Sequence, residues 1–267
     1  MEHPRHALAA RPRPAAALLA ATALLLAGCA GDAESVPEET SATAEPIVIF
    51  AAASLQASFD EIAAAFEDRH PEYPVAPIVY DGSQALATQI VDGADVDVIA
   101  FASESSLDPV TEAGLAEDPD IFATNTLEIA VAPGNPKGIS ELADLADPAL
   151  SVVLCAPEVP CGSAALTLLE DAGVEVTPVS EETNVTSVVT RVANGEADAG
   201  LVYTTDVVAA DGALEGIAPG NAAAAVNRYP VVVSENAPSP EAAQAFVAFV
   251  LSEEGREILA AHGFGAP

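Results

Sequence analysis

The chain is poor in positive charge, in aromatic residues and in cysteine. Its 267 residues include one lysine, no tryptophan and three cysteines, and eight lysines and arginines stand against 41 aspartates and glutamates. The formal net charge of −33 makes nucleic acid, acidic lipid headgroups and other polyanions poor partners for the surface as a whole. We interpret this acidity as an adaptation for solubility or high ionic strength, so it describes the environment more than the function.

The sequence also lacks the motifs of common hydrolases and metal sites. It contains no G-x-S-x-G segment, and after residue 28 its only histidines are His70 and His262, neither in a recognisable catalytic context. Cys155 and Cys161 are separated by five residues, which fits neither a zinc site nor a C-x-x-C redox pair. We therefore predict a protein that is not an enzyme and uses no cofactor. An extracellular serine hydrolase stays as an alternative, which an ester hydrolysis assay would test.

The one long apolar run lies at the N-terminus. Three arginines precede residues 15–27, an uncharged stretch shorter than the about 20 residues that a membrane-spanning helix needs. This pattern predicts an export signal over residues 1–28. The segment Leu26-Ala27-Gly28-Cys29 resembles the bacterial lipobox, whose cysteine is acylated and becomes the mature N-terminus. The alternative is an ordinary secretory signal with an incidental cysteine.

Residues 29–45 follow the signal and carry five carboxylates with little apolar surface. Such a composition cannot offset the entropy of ordering, so we predict a disordered acidic tether. Loss of residues 1–28, which hold three arginines and one glutamate, changes the formal charge from −33 to −35. The export signal and the lipobox-like segment together predict an extracytoplasmic location, with the protein anchored to the membrane through a lipid on Cys29.

Residues 46–267 alternate short β-branched runs with helical patterns and show no internal repeat. The predicted strands are 47–50, 75–80, 96–101, 127–132, 152–155, 176–179, 201–203 and 229–233. The predicted helices are 55–66, 83–92, 105–113, 140–146, 162–172 and 185–193, with two more in 240–262 and Ser54 as an N-cap. This alternation predicts an α/β fold with mainly parallel sheets flanked by helices, and ligands bind at strand carboxyl ends in such folds.

The segments at those strand ends occur in an order typical of one family. They are Phe50-Ala51-Ala52-Ala53-Ser54-Leu55, Gly82-Ser83-Gln84-Ala85-Leu86, Val159-Pro160-Cys161-Gly162, Asn184-Val185 and Gly195-Glu196-Ala197-Asp198-Ala199-Gly200-Leu201-Val202-Tyr203. Together with Tyr229-Pro230 and Gly263-Phe264, their order and spacing resemble the molybdate-binding proteins of ABC transporters. The resemblance covers residues 47–264. Cys161 departs from it, since alanine is common there, as does Gln84, where glycine or serine is common.

The resemblance implies a two-lobed periplasmic-binding-protein fold of type II with the ligand in the cleft between the lobes. Lobe I would comprise residues 46–125 and 229–267, and lobe II residues 126–228. The implied function is capture of molybdate or tungstate and delivery to the permease subunits of an ABC importer. The protein would act as a monomer, and the permease would recognise its closed form. Molybdenum would enter only as the bound oxyanion.

The ligand groups carried over from the family are hydroxyls and backbone N–H groups. The hydroxyls belong to Ser54, Ser83 and Tyr203, and the N–H groups to Ser54, Ser83, Cys161 and Val185. Elementary physics supports this set, because each N–H group lies at a predicted helix start, where unpaired N–H groups and the helix dipole favour an anion.

A site made only of donors suits an oxyanion without a proton near neutral pH, such as molybdate, tungstate or sulfate. A protonated phosphate would bring a donor with no acceptor opposite it, at a cost of about 1–3 kcal/mol. Sulfate or another oxyanion stays open as an alternative because cavity size is not readable from sequence. We expect Asp81 to serve a turn with Gly82 and Asp206 to cap a helix, so neither is predicted as a ligand.

Cys155 and Cys161 remain once Cys29 is lipidated. In an oxidising compartment their spacing predicts a disulfide across a strand-to-helix loop. Such a bond would stiffen the loop that presents the Cys161 N–H group.

Overall fold

A computed structural model describes residues 45–267, so the predicted signal, Cys29 and nearly all of the tether lie outside the described residues. The strands are β1 Ile49–Ala52, β2 Val79–Asp81, β3 Val98–Ala100, β4 Asp120–Asn125, β5 Leu127–Val131, β6 Val152–Cys155, β7 Ser180–Glu182, β8 Ala199–Tyr203, β9 Glu215–Ile217 and β10 Asn227–Val233. The helices are α1 Gln56–Arg69, α2 Ser83–Val91, α3 Asp108–Glu112, α4 Pro160–Ala172, α5 Val185–Ala193, α6 Thr204–Ala209, α7 Pro240–Val250 and α8 Glu253–Ala261. Single 3-10 turns lie at Ala53–Leu55, Leu142–Ala146 and Ala222–Ala224.

Two five-stranded sheets form the two lobes, with strand orders β2-β1-β3-β10-β4 and β7-β6-β8-β5-β9. Strands β2, β1 and β3 pair in parallel, and β10 runs antiparallel to both β3 and β4. The second sheet repeats this plan, with parallel β7, β6 and β8 and with β5 antiparallel to β8 and β9. Each sheet is therefore mainly parallel, with one reversed strand.

The chain passes between the sheets at two places. Strand β4 of the first sheet ends at Asn125 and β5 of the second begins at Leu127, while the return lies between Ile217 and Asn227. These two crossings are the candidate hinge.

Each lobe has its own apolar core. The first sheet buries one face against α1, α7 and α8 through residues such as Phe59, Phe66 and Phe246, and the other face around Leu86 and Phe101. The second sheet is surrounded by one cluster that includes Leu168, Val188 and other residues from α4 and α5. The inner parallel strands β1, β3, β6 and β8 are buried on both faces, which explains their continuous apolar runs.

Several predicted elements differ from the observed ones. The run 176–179 is not a strand. It contains Pro178, and the short edge strand β7 follows it at Ser180–Glu182. Residues 140–146 form only the 3-10 turn Leu142–Ala146. Ser54 is not an N-cap, because it lies inside the 3-10 turn that leads into α1. Within residues 45–267, no helix combines the length and apolar character needed to cross a membrane.

Candidate anion-binding site

The carboxyl ends of six parallel strands converge on one cavity. Strands β1, β2 and β3 lead to Ser54, Ser83 and Ala102, and in the other lobe β6 and β7 lead to Cys161 and Val185. The sixth strand, β8, ends at Tyr203, which also lines the cavity. All five predicted ligand residues are therefore brought together between the two lobes, at the edge where α/β sheets bind ligands.

The cavity is small. Its volume is about 20 Å³, against the about 10–15 Å³ that one water molecule requires on the same measure. Ser83 and Tyr203 are each 1% exposed, Cys161 and Val185 are each 3% exposed, and Ser54 is half-buried. This volume suits a small ion.

The hydroxyl of Tyr203 is buried in this cavity without a hydrogen-bond partner among the described residues. The Tyr229 ring lies nearby, with centroids 6.0 Å apart, but the two hydroxyls do not have hydrogen-bond geometry. Burial, followed by the proximity of Tyr229 and Asp206, raises the pKa of Tyr203 well above its usual value. The side chain therefore keeps its proton and offers an unused donor, which is costly unless a ligand accepts it.

The serine hydroxyls are oriented by groups behind them. Ser83 Oγ accepts the N–H group of Ala102 at 3.1 Å, which leaves its own proton for the cavity. Ser54 Oγ lies 3.0 Å from the Tyr229 hydroxyl. Ser83 can thus donate into the cavity, and Ser54 can do so when the Tyr229 hydroxyl donates to it.

Backbone N–H groups supply the remaining donors. Ser83 and Val185 are the first residues of α2 and α5, and Cys161 is the second residue of α4. Ser54 lies in the 3-10 turn that continues directly into α1. The N–H groups of a first helical turn have no partner within the helix, and the positive end of the helix dipole lies there. These starts together form an anion site that needs no cationic side chain.

Asp81 is the only charged residue among those that line the cavity within the described chain. Its Oδ1 atom accepts the N–H group of Gly82 at 2.7 Å, as the predicted turn requires, and the Nδ2 group of Asn184 at 3.1 Å. Asn184 also caps α5, because its Oδ1 accepts the N–H group of Ser187 at 3.0 Å. The Oδ1 atom of Asp81 therefore accepts from two neighbouring donors and connects the two lobes.

Gly82 lies at a close contact between the two lobes. A Cβ atom at this position would lie 2.2 Å from the carbonyl oxygen of Thr183 in the other lobe. The backbone of Gly82, with φ −60° and ψ 134°, is one that any residue adopts. Glycine is thus required here by the close contact between lobes and not by its backbone conformation.

Asp206 lies beneath the cavity in α6. Its Oδ2 accepts the N–H group of Tyr203 at 2.8 Å, which fits the predicted capping role. Burial raises the pKa of Asp206 to about 7, even though this hydrogen bond lowers it. The carboxyl group fixes the backbone at Tyr203 and titrates near neutrality.

Cys155 and Cys161 are joined by a disulfide in the structure. It connects the last residue of β6 to the first turn of α4. The Cys161 N–H group therefore stands on a loop tied to the strand end.

Sequence reasoning did not single out Gly82, Asn125, Asn184 or Tyr229 as parts of this site. Asn184 stands directly before Val185 and has the side chain of an N-cap, a signal that could have identified it. Asn125 and Tyr229 lie behind the cavity, and although Tyr229-Pro230 is one of the matched segments, nothing local in the sequence assigns either residue to the site.

Comparison with known proteins agrees with this geometry. Residues 47–265 match the family described as bacterial extracellular solute-binding protein. The molybdate-binding protein ModA of Mycobacterium bovis is 42% identical over 251 residues, which cover 92% of this chain and 96% of that protein.

Two solved structures share the fold. The periplasmic molybdate-binding protein of Azotobacter vinelandii has a TM-score of 0.71 at 20% identity, covering 83% of this chain and 99% of that one. The sulfate-binding protein SubI of Mycobacterium tuberculosis H37Rv has a TM-score of 0.72 at 19% identity, covering 82% of this chain and 86% of that one. The predicted α/β fold with two lobes, that of a periplasmic binding protein, is confirmed.

The family match extends over most of the chain, and so does the 42% identical relative. The family consists of solute-binding proteins and not of enzymes, which confirms the prediction that this protein has no catalytic activity and removes the serine hydrolase alternative. The chain belongs to the bacterial extracellular solute-binding proteins.

Proposed function

We propose that the protein captures molybdate or tungstate in the cavity between its lobes and delivers it to an ABC importer. The ligands are the hydroxyls of Ser54, Ser83 and Tyr203 together with the backbone N–H groups at Ser54, Ser83, Cys161 and Val185. The anion is the transported solute, and molybdenum is present only as this oxyanion.

The observation that carries the proposal is the buried hydroxyl of Tyr203, a donor without a protein partner in a cavity lined by other donors. Lysine and arginine are absent from the cavity lining within the described residues. A fully deprotonated oxyanion accepts from every one of these donors.

Molybdate is preferred over sulfate because of the relatives. ModA of M. bovis is 42% identical over nearly its whole length, whereas the sulfate-binding protein SubI shares the fold at 19% identity. Sulfate remains the second candidate, because its charge and tetrahedral shape satisfy the same donors.

Delivery follows from closure of the lobes. In this proposal lobe I is residues 46–125 and 229–267 and lobe II is residues 126–228, and an anion bound to one lobe completes its donors from the other. Ligand binding then shifts the population toward the closed form, which the permease subunits recognise. The protein acts as a monomer.

We further propose that a lipid on Cys29 holds the protein at the outer face of the membrane and that residues 30–45 form a flexible tether. The lipobox-like segment before Cys29 supports this. Cys29→Ala is expected to move the protein from the membrane fraction to the soluble fraction, as followed by fractionation and by labelling with radioactive palmitate. Membrane retention of the variant would contradict the anchor without affecting the anion site.

Calorimetric titration with molybdate, tungstate, sulfate and phosphate tests the substrate. We expect tight binding of the first two at a stoichiometry of one, weak binding of sulfate and none of phosphate. Heat from sulfate alone would overturn the choice of substrate, and heat from none of the four would overturn the proposed function.

Tyr203→Phe tests the ligand set directly. Loss of a hydrogen bond to a charged ligand is expected to weaken molybdate binding about tenfold to a hundredfold, while the ligand-free protein unfolds at the same temperature or higher, because a buried donor without a partner is removed. Tyr80→Phe is the matched control, because its hydroxyl contacts Asp60 at 2.8 Å outside the cavity. Equal affinity of wild type and Tyr203→Phe would exclude Tyr203 as a ligand.

A further inference from the structure

We infer that Asp81 and Asn184 form a latch that holds the two lobes closed around the anion, on the side of the molecule opposite to the candidate hinge. The latch is the hydrogen bond that Asn184 Nδ2 donates to Asp81 Oδ1 at 3.1 Å. The inference rests on the proposed function and deepens it, because it assigns residues that retain the anion in addition to those that bind it.

The latch lies at the edge of each sheet that is far from the hinge. Asp81 is the last residue of β2, and Asn184 is the second residue after β7. Strands β2 and β7 each stand at one end of their sheet, whereas the chain crosses between the lobes through β4, β10, β5 and β9 at the other end. Rotation of the lobes about the crossings would separate the far edges most, so a bond placed there is sensitive to opening.

The other polar side-chain contacts between the lobes lie at the hinge itself. In the part of the chain that the structure describes, each of them includes Asn125, Asn227 or Arg228. These three residues stand at the crossings, where the chain moves least as the lobes rotate. The bond between Asp81 and Asn184 is therefore the one side-chain hydrogen bond among residues 45–267 that opening must break.

Both partners of the latch are oriented by local hydrogen bonds. Asn184 Oδ1 accepts the N–H group of Ser187 at 3.0 Å and its hydroxyl at 3.1 Å, so the Nδ2 group is the side that faces Asp81. Asp81 Oδ1 also accepts the N–H group of Gly82 at 2.7 Å. Because both side chains are already held, little conformational entropy is lost when the latch forms. The latch also ends directly before Val185, whose N–H group is a proposed ligand.

The charge of Asp81 supports a role in closure over a role in binding. Its carboxylate lines the cavity, and a negative charge beside a dianion lowers affinity. A carboxylate is, however, a stronger hydrogen-bond acceptor than a neutral oxygen, which suits the acceptor of a latch. Since Asp81 and Asn184 both line the cavity from opposite lobes, the anion leaves only after their bond opens. The latch should therefore control the rate of dissociation.

Asn184→Ser tests the latch, because serine keeps an N-cap for α5 and lacks the Nδ2 donor. Dissociation of radioactive molybdate, chased with unlabelled molybdate, should accelerate about tenfold, and affinity should fall by the same factor at an unchanged association rate. Asn221→Ser is the matched control. It removes a bond from Nδ2 to Asp171 Oδ2 of 2.9 Å that lies within lobe II, so both rates should stay as in wild type.

A double-mutant cycle separates the latch from damage to α5. In an Asp81→Ala background the latch is already absent, so Asn184→Ser should change the dissociation rate less than about twofold. Equal acceleration in both backgrounds, or an unchanged dissociation rate in Asn184→Ser alone, would overturn the inference. Should Asp81→Ala fail to fold, Asp81→Ser takes its place in the cycle, because serine can still accept the N–H group of the turn.

The two proposals fail in different ways. Normal molybdate binding by wild type together with a wild-type dissociation rate in Asn184→Ser overturns only the latch. Absence of oxyanion binding in wild type overturns the proposed function and this inference together.

Discussion

At the scale of single residues, Asp206 is a buried carboxyl group that titrates near neutral pH. Burial raises its pKa to about 7, and the carboxylate accepts the N–H group of Tyr203. In the folded protein the carboxyl group keeps its proton to higher pH than in the unfolded chain, where its pKa is near 3.8. The protonated Asp206 carboxyl group therefore stabilises the folded state at low pH.

The free energy of unfolding should fall as pH rises from about 4 to about 7. Above pH 7 the ionisation of Asp206 should change it little. The unfolded chain binds fewer protons in this window, so Asp206 contributes a slope of at most about 1.4 kcal/mol per pH unit. Asp206→Asn should remove that contribution, whereas Asp211→Asn, at an exposed position, should not. Urea unfolding of the three proteins between pH 4.5 and 8 measures the slopes, and identical slopes for wild type and Asp206→Asn would refute the assignment.

The residues predicted as ligands could be found from the sequence, whereas the residues that contact them from behind the cavity could not. The motifs placed Ser54, Ser83, Cys161, Val185 and Tyr203, and the structure brings all five to one cavity. The hydrogen bond between Ser54 and Tyr229 joins residues 175 positions apart within one lobe, and the one from Asn184 to Asp81 joins residues 103 positions apart across the two lobes. Such pairs depend on the tertiary arrangement of the chain, which no local sequence pattern predicts.

At the scale of elements, the site exists because helices α2, α4 and α5 all begin at the same edge of their sheets. That convergence requires the turn before α2 to touch the turn before α5, where Gly82 meets the carbonyl oxygen of Thr183. A backbone oxygen cannot turn aside as a flexible side chain can. The fit between these two turns therefore limits how far the lobes close.

Gly82→Ala is expected to hold the lobes apart. The new methyl group would lie 2.2 Å from the Thr183 oxygen, so molybdate affinity should fall at least about tenfold while each lobe keeps its fold. Gly220→Ala is the matched control, because a Cβ atom there meets nothing within 4 Å. Calorimetry gives the affinities, and X-ray scattering should show that ligand no longer compacts the variant. Full compaction on adding molybdate would contradict this account of closure.

Elements with strong apolar runs were predicted well, and short edge elements were not. The predicted strand 152–155 is observed as Val152–Cys155 because β6 is buried on both faces. Strands β4 and β9 were missed, and both are the last strands of their sheets. Edge strands gain their order from a partner strand distant in sequence, so their own residues carry little signal.

At the scale of the whole molecule, an anion must approach a strongly negative protein. In the proposed site the anion is held by neutral donors, whereas the whole chain has a formal charge of −33. Long-range repulsion therefore acts on the approaching dianion, while the contacts in the cavity are short-ranged and shielded from salt.

Molybdate affinity should increase with ionic strength. Between 0.01 M and 0.15 M salt the screening length shortens from about 30 Å to about 8 Å, and we expect the affinity to rise severalfold. Calorimetry in potassium chloride and in sodium chloride should give the same trend, which excludes a specific cation effect. An affinity that falls with salt would indicate instead that a cationic side chain contributes to the site.

The pair of tyrosines at the cavity has a spectroscopic consequence. The chain contains four tyrosines and no tryptophan, and Tyr203 and Tyr229 are two of the four. Without an indole ring to absorb their excitation energy, their ultraviolet emission is directly observable. When the Tyr203 hydroxyl gains an acceptor, its fluorescence should change. The intrinsic tyrosine fluorescence of the unmodified protein would then show whether the cavity is filled.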